Sequence, residues 1–191
     1  MDLLLLGPQG SGKGTQAKRI AANHGLPHVS TGDIFRALDG STPLGREVLE
    51  IMTRGELVPD DVTIRMIRER LAQDDAAEGF ILDGFPRNLP QAHALDAMLT
   101  EIGRDLDAIL FFNLPDEVAK ERMRLRAQLE DRPDDTPEAM ARRLEIYHEE
   151  TEPVVEHYRT TGRLVPLHAG RTIEEVYAEI AVALDLLDDA A

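Results

Sequence analysis

Nine residues near the start of the chain, Gly7-Pro8-Gln9-Gly10-Ser11-Gly12-Lys13-Gly14-Thr15, carry the clearest chemistry in the sequence. Glycines let a backbone curl until several N–H groups point at one anion, and the N-terminus of a following helix adds partial positive charge. Lys13 supplies a mobile cation that can reach the outer phosphates of a nucleotide. The loop follows the apolar run Leu3 to Leu6 and opens a helical pattern, the setting such a loop requires. A glycine turn that merely caps a helix is the alternative; strand, turn, lysine and helix together outweigh it. Gly14 stands where the general pattern places a magnesium-holding hydroxyl, with Thr15 one residue later. Alone, the loop specifies nucleotide phosphate and no particular reaction.

Asp83 ends the compact apolar run Phe80-Ile81-Leu82, which puts a carboxylate at the C-terminal end of a buried strand beside the loop. A carboxylate there orients magnesium directly or through water; a helix cap is the simpler alternative. Arg87, four residues on, projects into the same crevice. Arg122 and Arg126 are four apart on one helix face, Arg132 follows in a polar stretch, and Arg142 and Arg143 lie on the next helix. Surface ion pairs with Glu121, Glu130 or Glu145 explain any one of them. As a set flanking one polar segment they fit phosphate. A guanine-reading site is excluded: the nearest string, Asn113-Leu114-Pro115-Asp116, lacks the lysine.

These residues need a scaffold, and the hydrophobic pattern predicts it. Short apolar strands are expected at 2–6, 28–29, 80–82, 107–113 and 163–167, with helices from Lys13 to Asn23, Pro115 to Arg126, Thr136 onward as one long helix, and Thr172 to Leu187. Strands alternating with helices imply an α/β fold, a five-stranded parallel sheet with helices on both faces. Two segments interrupt the alternation, a helical insert over 30–59 and a polar stretch over 126–135. Both are expected to cover a site in one domain spanning 1–191, with the core at 1–29, 60–125 and 136–191. The six histidines show no metal spacing and are read as surface or cap residues.

Composition bounds the rest. The 191 residues are 42% hydrophobic, enough for one sizeable core, and include no cysteine, which removes disulfides and thiolate metal sites. The N-terminal apolar run is too short for a signal peptide or a membrane span. A net charge of −15 repels nucleic acid and anionic lipid overall, so no partner of either kind is expected. Of the basic residues, 18 are arginine and three lysine, which suits bidentate phosphate binding but also fits a compositional bias of the genome.

Read in order, the strings at 7–16, Ser30-Thr-Gly-Asp-Ile-Phe-Arg36, Gly55-Glu-Leu-Val-Pro-Asp60, Asp83-Gly-Phe-Pro-Arg87 with Gln91, and Arg122, Arg126, Arg132-Pro-Asp-Asp135 and Arg143-Leu144 resemble the adenylate kinases with a short lid, within the nucleoside monophosphate kinase family. The resemblance implies the P-loop kinase fold, a three-layer α/β/α sandwich with a monophosphate-binding insert and a short lid. It also makes Gly14 a family feature. It implies reversible transfer from ATP to AMP giving two ADP, with Mg²⁺ as cofactor. It implies that Gly10, Ser11, Gly12, Lys13, Gly14 and Thr15, with Arg122 and Arg126, hold ATP. Thr31, Arg36, Glu56, Leu57, Val58, Gly84, Arg87, Gln91, Arg132 and Arg143 are implied for AMP, with Gln91 at adenine. Lys13, Arg87, Arg122, Arg126, Arg132 and Arg143 are implied as catalytic, Asp83 as a water-mediated magnesium anchor, and Asp134 as a lid contact.

Long-lid relatives sometimes hold zinc through cysteines; this chain has neither the length nor the cysteines, so no zinc is expected. Short-lid relatives often carry glycines before the lid arginine, where this chain has Ala127-Gln128-Leu129-Glu130-Asp131. Pyrimidine-monophosphate kinases tend to have Ala and Asn where this chain has Thr31 and Gln91, which favours AMP over UMP or CMP. A non-catalytic nucleotide-binding module would keep Lys13 without needing Thr31, Arg36, Arg87 and Gln91. The resemblance further implies a cytoplasmic monomer.

Overall fold

The computed structural model describes residues 1–129 and 136–188. The run that begins the chain forms β1 (Asp2–Leu6), buried at every position. Successive strand side chains point to opposite faces, so Leu3 and Leu5 join one core and Leu4 and Leu6 another. A strand buried on both faces is apolar at nearly every position rather than alternating, which is why these short runs read as strands; Asp2, the charged residue of β1, is buried against Arg104.

Four more strands join it: β2 (His28–Ser30), β3 (Phe80–Asp83), β4 (Ala108–Asn113) and β5 (Leu164–His168). All pairings are parallel, in the order β2-β3-β1-β4-β5. From β1 the chain crosses to the edge strand β2, comes back to β3 between the two, and then passes to the other side of β1 for β4 and β5. In open sheets such a reversal opens a crevice beyond the carboxyl ends of the strands. Asp83 closes β3 there, in register with Leu5 on one side and Ser30 on the other.

Helices cover both faces. One layer contains α1 (Lys13–His24), α6 (Asp116–Leu129), α7 (Pro137–Ile146) and α9 (Ile173–Asp188), packed through Ile20, Met123, Leu144 and Ile180. The other contains α4 (Asp60–Leu71), α5 (Leu89–Glu101) and α8 (Glu152–Arg159), packed through Ile67, Leu95 and Tyr158. Within the expected insert lie α2 (Thr31–Arg36), capped by Ser30, and α3 (Pro43–Thr53), capped by Thr42. Phe35, Val48 and Val58 form a small apolar cluster of their own there, apart from the two main cores.

Two expectations are corrected. The segment after Thr136 is not one uninterrupted α-helix: a π-helical turn, Tyr147–Thr151, separates α7 from α8. Pro153 has no N–H to give to the carbonyl one turn back, and a widened turn accommodates that loss. The histidines are not all surface or cap residues. His28 is largely buried and faces Asp83, while His157 meets the Asp96 carboxylate at 2.8 Å. At the expected lid, 126–129 form the last turn of α6, and 130–135, with Arg132 and Asp134, lie outside the described residues. Among the described residues no helix is long and apolar enough to cross a membrane.

Candidate active site

A cleft of about 1140 Å³ opens beyond the carboxyl ends of the strands. That is slightly above the roughly 300–1,000 Å³ of a typical single-ligand pocket, so its size is compatible with a second ligand beside the first. The site residues that the resemblance implies all line it, apart from Arg132 and Asp134, which lie outside the described residues; Arg142, grouped with the arginines from the sequence, does not.

The floor is the loop from β1 to α1. Gly10 has φ 80°, and an added Cβ would stand 2.7 Å from the carbonyl oxygen of Ala119 in α6. Only glycine allows both that curvature and that approach. Gly12 caps α1 with φ 91° and offers no side-chain cap, so the first amides of the helix face the cleft as donors for an anion. Lys13 opens α1. Its Nζ donates to the carbonyl oxygens of Gly7 at 2.7 Å and Pro8 at 2.9 Å, and to Ser11 Oγ at 3.4 Å. Burial pushes the Lys13 ammonium down to about 8; Asp83 opposes that shift and Arg87 and Arg126 add to it.

Asp83 stands opposite. Burial raises its carboxyl, but the His28 imidazole, Lys13 and Arg87 together outweigh burial and hold it below the usual range. His28 Nε2 lies 3.4 Å from Asp83 Oδ2. Gly14 sits against the same carboxylate: a Cβ there would stand 3.6 Å from Asp83 Oδ2, so the ground beside this oxygen is left clear of side chain on that side. Among the described residues no group of three or more carboxylates or histidines gathers to hold a metal. A lone ionised carboxylate beside a phosphate-binding loop fits Mg²⁺, which keeps most of its waters and takes its remaining ligands from substrate phosphate.

The second wall is built from β2, β3, α5 and the insert. Thr31 Oγ1 donates to Gly84 O at 2.9 Å, and Arg87 Nε donates to the same carbonyl at 2.8 Å. Gly84 has φ 83°, and a Cβ on it would collide with Thr31 Oγ1. Arg36 bonds Asp33 at 2.7 Å, and Glu56 pairs with Arg54 at 2.9 Å at the rim. Thr151, in the π-helical turn, donates to Arg87 O at 2.8 Å, so that turn holds the arginine's backbone. Burial lowers the Arg87 guanidinium below its ordinary value; Asp83 opposes this, and Arg143 and Arg36 add to it. Three guanidinium groups therefore converge on one region.

The arginines on α6 and α7 divide by face. Arg124 pairs with Glu121 at 2.8 Å and Arg142 with Glu145 at 3.1 Å, the ordinary surface alternative. Arg122, Arg126 and Arg143 line the cleft. Arg122 donates to Ala169 O at 2.7 Å and to Arg171 O at 3.3 Å, and Arg143 donates to Met52 O at 3.3 Å. For Arg122, backbone carbonyls fix the guanidinium in place without neutralising it, an arrangement compatible with phosphate.

Sequence reasoning missed His28, Asp60 and Thr151. His28 carried no signal beyond lying two residues before Ser30. Asp60 appeared only as the end of a matching string, though α5 brings Asn88 and Gln91 to its carboxylate.

With this geometry in view, the comparisons are specific. Residues 5–163 match the family described as adenylate kinase. An adenylate kinase of Xanthomonas euvesicatoria pv. vesicatoria (strain 85-10) is 46% identical over 185 residues, covering 96% of this chain and 99% of that protein. An adenylate kinase of Xanthomonas campestris pv. campestris (strain 8004) is 45% identical over 185 residues, with the same coverage of each. One of Cyanothece sp. (strain PCC 7425 / ATCC 29141) is 46% identical over 186 residues, covering 97% of this chain and 95% of that protein.

Proposed function

The chain belongs to the adenylate kinase family, and from that premise we propose that it transfers a phosphoryl group reversibly from Mg-ATP to AMP, giving two ADP. The observation that carries this reading is the cleft itself. It has a phosphate-binding loop on one wall, a second set of anion-directed groups around Arg87 on the other, and a size compatible with both ligands. A binding module or a simple ATPase has no use for the second wall.

The acceptor is already a phosphate oxygen, so no strong general base is required. The difficulty is bringing two polyanions together, and catalysis here is positioning and charge stabilisation in line with transfer. Gly10 to Thr15 receive the ATP phosphates, and Lys13 exchanges loop carbonyls for phosphate oxygens. Arg122, Arg126 and Arg143 face the transferring group. Thr31, Arg36, Glu56, Leu57, Val58, Gly84 and Arg87 form the AMP pocket, with Gln91 at adenine; Arg132 belongs to the same proposal from the lid. Asp83 would hold a magnesium ion through water, and that ion would neutralise charge on the ATP phosphates. An enzyme with these substrates works where both nucleotides circulate, in the cytoplasm, and residues of a single chain line the cleft, so we take it as a monomer.

The test is a coupled assay with ATP as donor and AMP, CMP, UMP and GMP as acceptors. AMP is expected to give by far the largest kcat/KM. A higher value with UMP or CMP would assign the chain to the pyrimidine side of the family.

Water in the closed site would hydrolyse ATP, so the insert 30–59 and the lid 126–135 are proposed to close over the ligands. The buried cluster of the insert, Phe35, Val48 and Val58, is separate from the two main cores and meets α4 through Val62 and Met66, where the insert would pivot. Spin labels at exposed Arg46 and exposed Ala22 on α1 should approach one another when a bisubstrate dinucleotide binds. An unchanged distance distribution would rule the closure out.

A further inference from the structure

Asp60, the first residue of α4, places its carboxylate against the start of α5. Oδ1 accepts from Gln91 Nε2 at 2.7 Å and from Asn88 Nδ2 at 3.0 Å, while Oδ2 accepts from Asn88 Nδ2 at 3.2 Å. On the other side of the same amide, Gln91 Oε1 accepts from the backbone N–H of Arg87 at 2.8 Å. Asn88 Oδ1 in turn accepts from Gln91 N at 3.0 Å, capping α5. Gln91 is 1% exposed, so its amide cannot exchange these partners for water.

The chemistry of the partners fixes which way the amide faces. An ionised carboxylate only accepts and a backbone N–H only donates. The nitrogen of Gln91 must therefore meet Asp60 and the oxygen must meet Arg87. A flipped amide would oppose oxygen to carboxylate and N–H to N–H, leaving buried groups unpaired on both sides. In the fixed sense, Gln91 retains one N–H and one oxygen lone pair for a ligand.

That remaining pair distinguishes purines. The Watson–Crick edge of adenine offers an acceptor at N1 and a donor at the 6-amino group; that of a 6-oxopurine offers a donor at N1 and an acceptor at O6. An amide facing one way suits the first, and the flipped amide suits the second. We propose that Asp60 is a positioning residue for base specificity, which locks the Gln91 amide in the sense that accepts adenine and rejects a 6-oxopurine. This rests on the reading that Gln91 faces the base. Asp60 touches no reacting atom; it acts through Gln91.

The test compares kcat/KM for AMP with that for IMP, whose base is a 6-oxopurine of nearly the same size. Asp60→Asn keeps the shape and replaces an obligate acceptor by an amide that can donate to a flipped Gln91. The N–H of Arg87 still opposes the flip, so the expected result is partial, a fall in the AMP:IMP ratio of about tenfold with the KM for ATP unchanged. A purely structural role would lower both acceptors together, and an unchanged ratio in Asp60→Asn overturns the proposal. Gln91→Ala separates the two layers. If it also leaves the ratio unchanged, Gln91 does not read the base; if it shifts the ratio while Asp60→Asn does not, the lock alone is wrong. Should Asp60→Asn not fold, the wild-type chain gives the answer by NMR. One Gln91 side-chain amide proton should be shifted downfield and protected from exchange in the AMP-free protein, and a rapidly exchanging pair overturns the lock.

Discussion

An Arg87→Met enzyme is expected to lose on the order of 10³-fold in kcat/KM for AMP while its Tm holds level or rises. The two halves of that expectation have one cause. Arg87 is withdrawn from water, with Arg36 and Arg143 near enough to depress its guanidinium further, and Asp83 only partly compensates. A base whose folded value lies below its ordinary one is less stable as a cation in the fold than in the unfolded chain, so the native state bears a cost for keeping it. The phosphate of AMP is the charge that would relieve this strain. Methionine keeps much of the length and removes the charge. It loses the Nε bond to Gly84 O, but that carbonyl retains Thr31 Oγ1 as a donor and is not orphaned. Kinetics with varied AMP at saturating ATP, beside thermal melts, check both halves. A loss below about tenfold, or a Tm that falls in step with activity, would show that Arg87 supports the fold rather than the acceptor.

Such a trade-off was legible only in part from the sequence, and the divide is physical. Leu3–Leu6, Phe80–Leu82 and the run before Asn113 announced a doubly covered parallel sheet because burial on two faces demands unbroken apolar runs. The phosphate loop was legible because glycine, lysine and helix start are contiguous. The second wall needed long-range geometry. Thr31 meets Gly84, 53 residues on, because β2 and β3 are neighbours in the sheet. Asp60 meets Gln91 across 31 residues because α4 packs on α5. A lone histidine beside a proline gave no sign that parallel register would set His28 against Asp83. The π-helical turn that holds Arg87 through Thr151 had no sequence signature except Pro153. Arg122 and Arg124 are both plausible partners for nearby acids, and only the packing of α6 sends one to the cleft and leaves the other on the surface with Glu121.

Lys13→Gln is expected to lower kcat by on the order of 10³-fold or more, with a smaller loss in ATP affinity. The glutamine amide can still donate to the carbonyls of Gly7 or Pro8, which Lys13 braces at 2.7 and 2.9 Å, so the loop has a substitute strut and keeps its shape. What disappears is a positive charge that can follow the phosphoryl group as negative charge shifts during transfer. The wild-type chain offers an independent reading of the same group. Folding depresses the Lys13 ammonium from 10.5 to about 8, so the unfolded chain holds more protons between those values and this group's contribution to stability grows as pH rises through that window. Bound ATP brings negative charge to Nζ and draws its pKa back up. ATP binding near pH 8.5 should therefore take up protons, an uptake that fades toward pH 6.5, where Lys13 is already charged. Calorimetric titrations in buffers of different ionisation enthalpy measure that uptake directly. It should vanish in Lys13→Gln. Uptake that persists in the variant would belong to another group, and a variant that transfers phosphoryl at the wild-type rate would remove Lys13 from the mechanism.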